Sequence, residues 1–268
     1  GLPIHLTHIQ LHSYGTEGDR KLSSAAARIP QAINRNPNVS CDVGQVLFGQ
    51  TVTASGDAMS QYRNSGHGRP RKYVVMDIEC DAGCGVVPFN YRDKNYVNAL
   101  QWAIGLEIFL LVDDPWRVFL TTDHPSGAPF TTYPHLIRLL MDRTFRNERL
   151  ALLNPAAQAM TTLATLDREY SLYEIAILTR AAPARILGLA DRGHLAPGAA
   201  ADITVYRRQP DPERMFAAPA YVFKDGDVVA QDGRVVKVSW GRVHAVAPAF
   251  DRGIETRLQE YFDRYHTV

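Results

Sequence analysis

The sequence predicts an α/β fold: part of a parallel (β/α) barrel with a small β domain attached. Two observations predict it. Strand-like and helix-like stretches alternate from Ile4 to about Leu189, and after Gly193 the chain changes to short alternating strands separated by Asp-Gly turns. The composition permits such a fold, with 46% of the 268 residues hydrophobic and 21% charged, enough for one large core or a core with a satellite.

Taken in order, Ile4 to Ser13 reads as a strand running into a loop that turns at Ser13-Tyr14-Gly15. Leu22 to Asn34 has Ala and Ile at helical spacing and stops near Asn36-Pro37. Val39 to Val43 is short and β-branched, as a buried strand is. Gly44 to Asn90 is rich in Gly, Ser and Arg, weakly periodic and too long for a simple connection, so a functional loop or contact surface is expected. Tyr96 to Leu111 reads as a helix, Arg117 to Thr122 as a strand, and Leu136 to Arg146 and Leu172 to Leu189 as helices. Beyond Gly193, Ala201 to Tyr206, Ala220 to Lys224, Val228 to Gln231 and Arg234 to Val238 alternate as strands. Lys224-Asp225-Gly226-Asp227 and Asp232-Gly233 supply their turns. An amphipathic helix from about Asp251 to Tyr265 closes the chain. The expected division is residues 1–192 as the barrel part with a long inserted loop near 44–93, residues 193–247 as the small β part, and residues 248–268 as a C-terminal helix.

Charge and cysteine content exclude several function classes. Lys and Arg total 29 against 28 Asp and Glu, which leaves no basic stripe for nucleic acid. The longest apolar run, Ala103 to Val112, is broken by Gly105 and Glu107 and is too short to span a bilayer. Cys41, Cys80 and Cys84 are too few and too unevenly placed for a disulfide framework, which fits a reducing, cytoplasmic compartment. The chain starts Gly1-Leu2-Pro3 and enters a strand at once, so upstream sequence is expected to be missing.

Two constellations point to chemistry. In a strand, His8, Gln10 and His12 share one face and His5 points the other way. Barrel sites lie at the C-terminal ends of strands, so His8 is the better metal-ligand candidate, with His12 on the loop above. In Thr121-Thr122-Asp123-His124-Pro125, a carboxylate closes an apolar strand, where burial is costly unless it is paired or metal-bound; a turn or helix-cap Asp is the alternative. The segment from Thr179 through Gly193 to Asp202 has no catalytic group and reads as architecture. Cys80 and Cys84, spaced by three residues without a second pair, read as incidental thiols.

Together these segments resemble the amidohydrolase superfamily, most specifically in the run Thr179-Arg180-Ala181-Ala182-Pro183-Ala184 to Gly198-Ala199-Ala200-Ala201-Asp202, which in that family leaves the barrel for a β-sandwich. Within it, His8-Ile9-Gln10-Leu11-His12-Ser13-Tyr14-Gly15 and Thr121-Thr122-Asp123-His124-Pro125 are similar to the A subunits of formylmethanofuran dehydrogenases and formyltransferase/hydrolase complexes, as are Asp42-Val43-Gly44-Gln45-Val46 and the long loop from Met76-Asp77 to Asn90-Tyr91.

The resemblance implies that the chain holds about strands six to eight of the barrel. It implies a binuclear zinc centre and reversible hydrolysis of an N-formyl amide on a methanofuran-like C1 carrier, giving formate and free amine. Partner subunits of the same complex are implied as well. His8 and Asp123 are the metal ligands it carries over, Asp123 also being the general base. His12 and His124 are candidates for substrate contact. Arg63, Arg69, Arg71 and Lys72 in the long loop are expected on a solvated face, with an anionic carrier tail as the alternative. Two ligands fall short of the three a catalytic zinc takes, so this piece by itself is expected to be inactive. The competing readings are a cyclic-amide hydrolase of the dihydroorotase or hydantoinase type and a catalytically silent scaffold subunit.

Overall fold

β1 (Ile4–Leu6) opens the chain and ends two residues before His8, where the sequence predicts ten residues of strand. The computed structural model describes residues 2–16, 22–44, 46–55, 63, 67, 85–245 and 249–265. The strand stops because the His8 amide donates to the Asp42 carboxylate at 2.8 Å rather than to a ladder, and His8 turns left-handed at φ 49°. Ile9–His12 then wind into a 3-10 turn. β2 (Tyr14–Gly15) and β3 (Ser23–Ser24) pair antiparallel ahead of α1 (Arg28–Arg35), a later start than the spacing predicts.

β4 (Val39–Val43) lies parallel to β1, with Ile4, His5 and Leu6 opposite Val39, Ser40 and Cys41. β5 (Gly49–Ser55) and β6 (Gly85–Tyr91) form a two-stranded sheet. α2 (Tyr96–Leu111) is capped by Asn95, whose side chain accepts from the Asn98 amide, and every residue from Asn98 to Leu110 is buried, so core surrounds the helix. Gly105 brings it close to β4: a Cβ there would lie 3.0 Å from methyls of Val43 and Val46. β7 (Val118–Leu120) pairs parallel with β4 and completes the order β1-β4-β7.

Leu136 to Arg146, expected as one helix, is α3 (Tyr133–Met141) followed by α4 (Arg143–Ala151). Asp142 is extended, at φ −129°, and its side chain caps α4 by accepting from the Phe145 amide at 2.8 Å. The Leu172 to Leu189 helix is present with an interruption: α5 (Leu172–Ala176), capped reciprocally by Ser171 and Glu174, continues through a π-helical turn at Ile177–Ala181 into α6 (Ala182–Ile186). β8 (Ile203–Val205), α7 (Pro212–Ala217), β9 (Tyr221–Lys224), β10 (Asp227–Gln231) and β11 (Arg234–Val235) follow. The four strands form an antiparallel sheet in the order β11-β10-β9-β8. α8 (Ile254–Tyr265) ends the described chain.

Gly1–Thr51 with Phe89–Lys237 make one compact unit, and Val52–Pro88 with Val238–Val268 a second. The core of the first gathers Ile33, Val43, Ile104, Phe109, Val118 and Leu139, all fully enclosed, around α2 and the parallel sheet. Two charged groups are buried there with their partners. Glu107 accepts from Thr161, Thr162 and Ser24, and Arg146 donates to the carbonyls of Leu139, Leu166 and Arg168. Among the described residues no helix is long and apolar enough to cross a membrane. Arg63 is exposed; Cys80, Cys84, Arg69, Arg71 and Lys72 lie outside the described residues.

Candidate functional site

Because β1, β4 and β7 run parallel, their C-terminal ends open on one side, and the chain leaves each end close to an ionisable residue. His8 follows β1 by two residues, Asp42 is the last but one residue of β4, and Asp123 follows β7 by three. In parallel α/β architectures this is the side on which loops gather a site.

The three side chains meet at the His8 ring. Nδ1 lies 2.7 Å from Asp42 Oδ1, which also accepts the His8 amide at 2.8 Å. Nε2 lies 3.1 Å from Asp123 Oδ1. The other Asp42 oxygen is 2.9 Å from His5 Nε2, and His5 Nδ1 is 2.9 Å from Ser40 Oγ. The sequence places His5 and His8 on opposite faces, but both reach Asp42. Alternation ends with β1 at Leu6, and the left-handed turn at His8 swings its ring over the sheet end. The side chains of Asp42, His8 and Asp123 are 12%, 26% and 35% exposed, so Asp42 lies at the base and Asp123 at the open side.

Backbone conformation marks the same place. Non-glycine residues rarely take positive φ, and among the described residues four do: His8, Asp123, Asp225 and Asp232. Asp225 and Asp232 are the hairpin turns of the antiparallel sheet. His8 and Asp123 face each other, each at φ 49°, where no hairpin demands it. Asp123 is held by its amide, which donates to Thr121 Oγ1 at 3.0 Å, and by its carbonyl, which accepts from the Gly127 amide at 2.7 Å. Gly44 leaves room for the ring, since a Cβ there would stand 2.8 Å from His8 Nδ1.

The electrostatics follow from these contacts. The Asp123 hydrogen bond, then the Asp42 hydrogen bond, hold the His8 imidazolium up to about 9 against the opposing effect of burial. Burial pushes the Asp42 carboxyl up, but its hydrogen bonds from His8 and His5 outweigh that and hold it below its ordinary value. Burial, aided by the Asp123 charge, pushes the Tyr91 phenol up to about 12, so it stays neutral. Burial likewise pushes the Cys41 thiol up to about 12, which makes it a packing group rather than a nucleophile.

Of the four residues singled out from sequence, the structure brings His8 and Asp123 together. His12 is exposed at the end of the 3-10 turn, and His124 is exposed with its ring edge-on to Phe130 at 5.1 Å. Asp42 is the functional candidate that sequence reasoning passed over, although it closes an apolar strand just as Asp123 does. An imidazole nitrogen backed by a carboxylate, facing a second carboxylate, is a donor set suited to zinc. Two such donors do not complete a site. Among the described residues no group of three or more His, Cys, Asp or Glu side chains is placed to hold a metal ion.

A sequence model of the amidohydrolase family matches residues 1–230. The A subunit of the formyltransferase/hydrolase complex Fhc of Methylorubrum extorquens is 44% identical over 271 residues, covering 99% of this chain and 49% of that protein. Protein FwdA of Methanocaldococcus jannaschii is 42% identical over 274 residues, covering 98% and 48%. Among solved structures, the crystal structure of the formyltransferase/hydrolase complex from Methylorubrum extorquens with methylofuran matches with a TM-score of 0.83 at 44% identity, covering 99% of this chain and 49% of the matched one. The chain therefore spans about half the length of these relatives.

Proposed function

The chain belongs to the amidohydrolase family, and we propose that it is part of the A subunit of a formyltransferase/hydrolase-type enzyme that reversibly hydrolyses an N-formyl amide on a methanofuran-like C1 carrier to formate and free amine. The observation behind this reading is the His8–Asp123 pair at the C-terminal end of the parallel sheet, in a chain 44% identical to such a subunit over nearly its whole length. The reading includes a barrel part to about residue 192, comprising about strands six to eight, and a β-sandwich part at 193–247. The parallel sheet β1-β4-β7 and the antiparallel sheet β8–β11 fall on either side of that boundary. It also includes a cytoplasmic complex with the other subunits, and His12 and His124 as substrate contacts.

His8 Nε2 and the Asp123 carboxylate are the groups of this chain that would hold zinc, in a binuclear centre completed by ligands from outside it. When bound, the metal supplies Lewis acidity toward water and the formyl carbonyl. Asp123, the more open carboxylate, takes the proton from the attacking water. It returns that proton to the amine nitrogen as the C–N bond breaks, so the carboxylate ends as it began.

The test is formate release by the purified full-length protein given a formylated furfurylamine-type carrier. Formate in step with carrier amine is expected. No formate, together with ring opening of a dihydroorotate or hydantoin, would replace this reading with the cyclic-amide one.

A further inference from the structure

We infer that Asp42 is a positioning residue that fixes the tautomer and orientation of His8, with His5, Ser40 and Gly44 as the parts that hold it to that task. The inference rests on the proposed metal role of His8. One oxygen of Asp42 grips His8 at two points, the ring Nδ1 at 2.7 Å and the main-chain amide at 2.8 Å, so backbone and ring are set by the same atom. An ionised carboxylate only accepts hydrogen bonds, so the hydrogen of a neutral His8 ring sits on Nδ1. The lone pair is then on Nε2, the nitrogen turned toward Asp123.

Asp42 in turn has little freedom to turn away. Its second oxygen meets His5 Nε2 at 2.9 Å, and His5 is fixed at its other nitrogen by Ser40 Oγ at 2.9 Å and at its face by the edge of Phe119 at 5.3 Å. An ion pair serving stability alone would need neither the shared oxygen nor the space beside the ring. That space exists because residue 44 is glycine, whose Cβ would otherwise press to 2.8 Å from Nδ1. Partners that orient a metal-binding histidine are worth 10–100-fold in metal affinity.

The experiment measures zinc affinity of the full-length protein by chelator competition, with the visible spectrum of the cobalt-substituted protein as a second readout. Asp42→Ala is expected to lose roughly 10–100-fold in affinity and to shift the cobalt bands. Asp42→Asn keeps an accepting oxygen and is expected to recover most of that loss. Gly44→Ala retains Asp42 but displaces the ring, and it decides the question if Asp42→Ala does not fold: a weakened affinity is expected. Wild-type affinity and spectrum in the folded Asp42→Ala protein, or in Gly44→Ala where that variant decides, overturn the role of Asp42 alone. A wild-type protein that takes up no metal overturns the metal reading of His8 itself.

Discussion

Replacing Glu107 by Leu removes the carboxylate that ties α2 to two other segments, and the structure sets the size of the loss. One oxygen accepts from Thr161 Oγ1 at 2.8 Å, from the Thr162 amide at 2.7 Å and from Thr162 Oγ1 at 2.7 Å; the other accepts from Ser24 Oγ. The residue is 1% exposed, so water cannot replace it at these donors. Hydroxyls can rotate toward other acceptors, but the Thr162 amide cannot, and a stranded buried amide costs about 1–3 kcal/mol. Adding smaller losses at three hydroxyls, and subtracting the relief of no longer burying a charge, gives about 3 kcal/mol of destabilisation. Glu107→Gln keeps one oxygen for the three threonine donors and turns its amide to Ser24, whose hydroxyl can accept, so its cost is about 1 kcal/mol. At about 2–4 °C per kcal/mol, thermal denaturation should place the Leu variant roughly 6–12 °C below wild type and the Gln variant roughly 2–4 °C below. Equal midpoints for the two variants, or a Leu variant as stable as wild type, would refute the view that the network is held by acceptance at that oxygen.

Other sites give outcomes of different kinds. Arg146→Met strands the carbonyls of Leu139, Leu166 and Arg168 in a fully buried place and should cost about 3 kcal/mol in denaturant unfolding. Gly105→Ala gains about 1 kcal/mol of helix propensity but drives a methyl to 3.0 Å from Val43 and Val46; overpacking costs about 1–3 kcal/mol, so net destabilisation is expected in the same assay. Burial raises the Asp202 carboxyl, yet Lys224, the Asp225 amide and Arg192 together hold it below its ordinary value of 3.8. Its contribution to stability is therefore present above the unfolded value and lost as pH falls through the lower folded one. Asp202→Asn should lower the melting temperature at pH 7 and narrow its gap to wild type at pH 3; an unchanged gap across that range would exclude the linkage.

The parts of the fold legible in the sequence are those with strong local signals. β4 and α2 are legible from apolar content, and the hairpins of the antiparallel sheet from Asp225-Gly226 and Asp232-Gly233, where the structure has its positive-φ turns. Boundaries move where a side chain competes with the backbone pattern. Asp142 ends one helix and caps the next inside what reads as a single apolar run, and Asp42 draws off the His8 amide and cuts β1 to three residues. α7, capped by Asp211 and tied to α3 through Arg138 at 3.1 Å, is too short and polar to show by periodicity. His8 and Asp123 both stand out in the sequence, although the alternation that favours His8 belongs to a strand that the structure does not continue. Asp42 has the same signal as Asp123, a carboxylate closing an apolar strand. What the sequence lacks is distance: nothing in it reports that residues 34 apart meet at 2.7 Å.

The central claim is that His8 and Asp123 are metal ligands of a hydrolytic centre shared with chain outside this segment. It is tested most directly by metal analysis of the full-length protein as wild type, His8→Ala and Asp123→Ala, each checked for folding by circular dichroism. The account predicts zinc at a fixed stoichiometry in the wild type and at least one equivalent fewer, or loosely held, in each folded variant. Equal zinc in all three proteins, or none in the folded wild type, would contradict it.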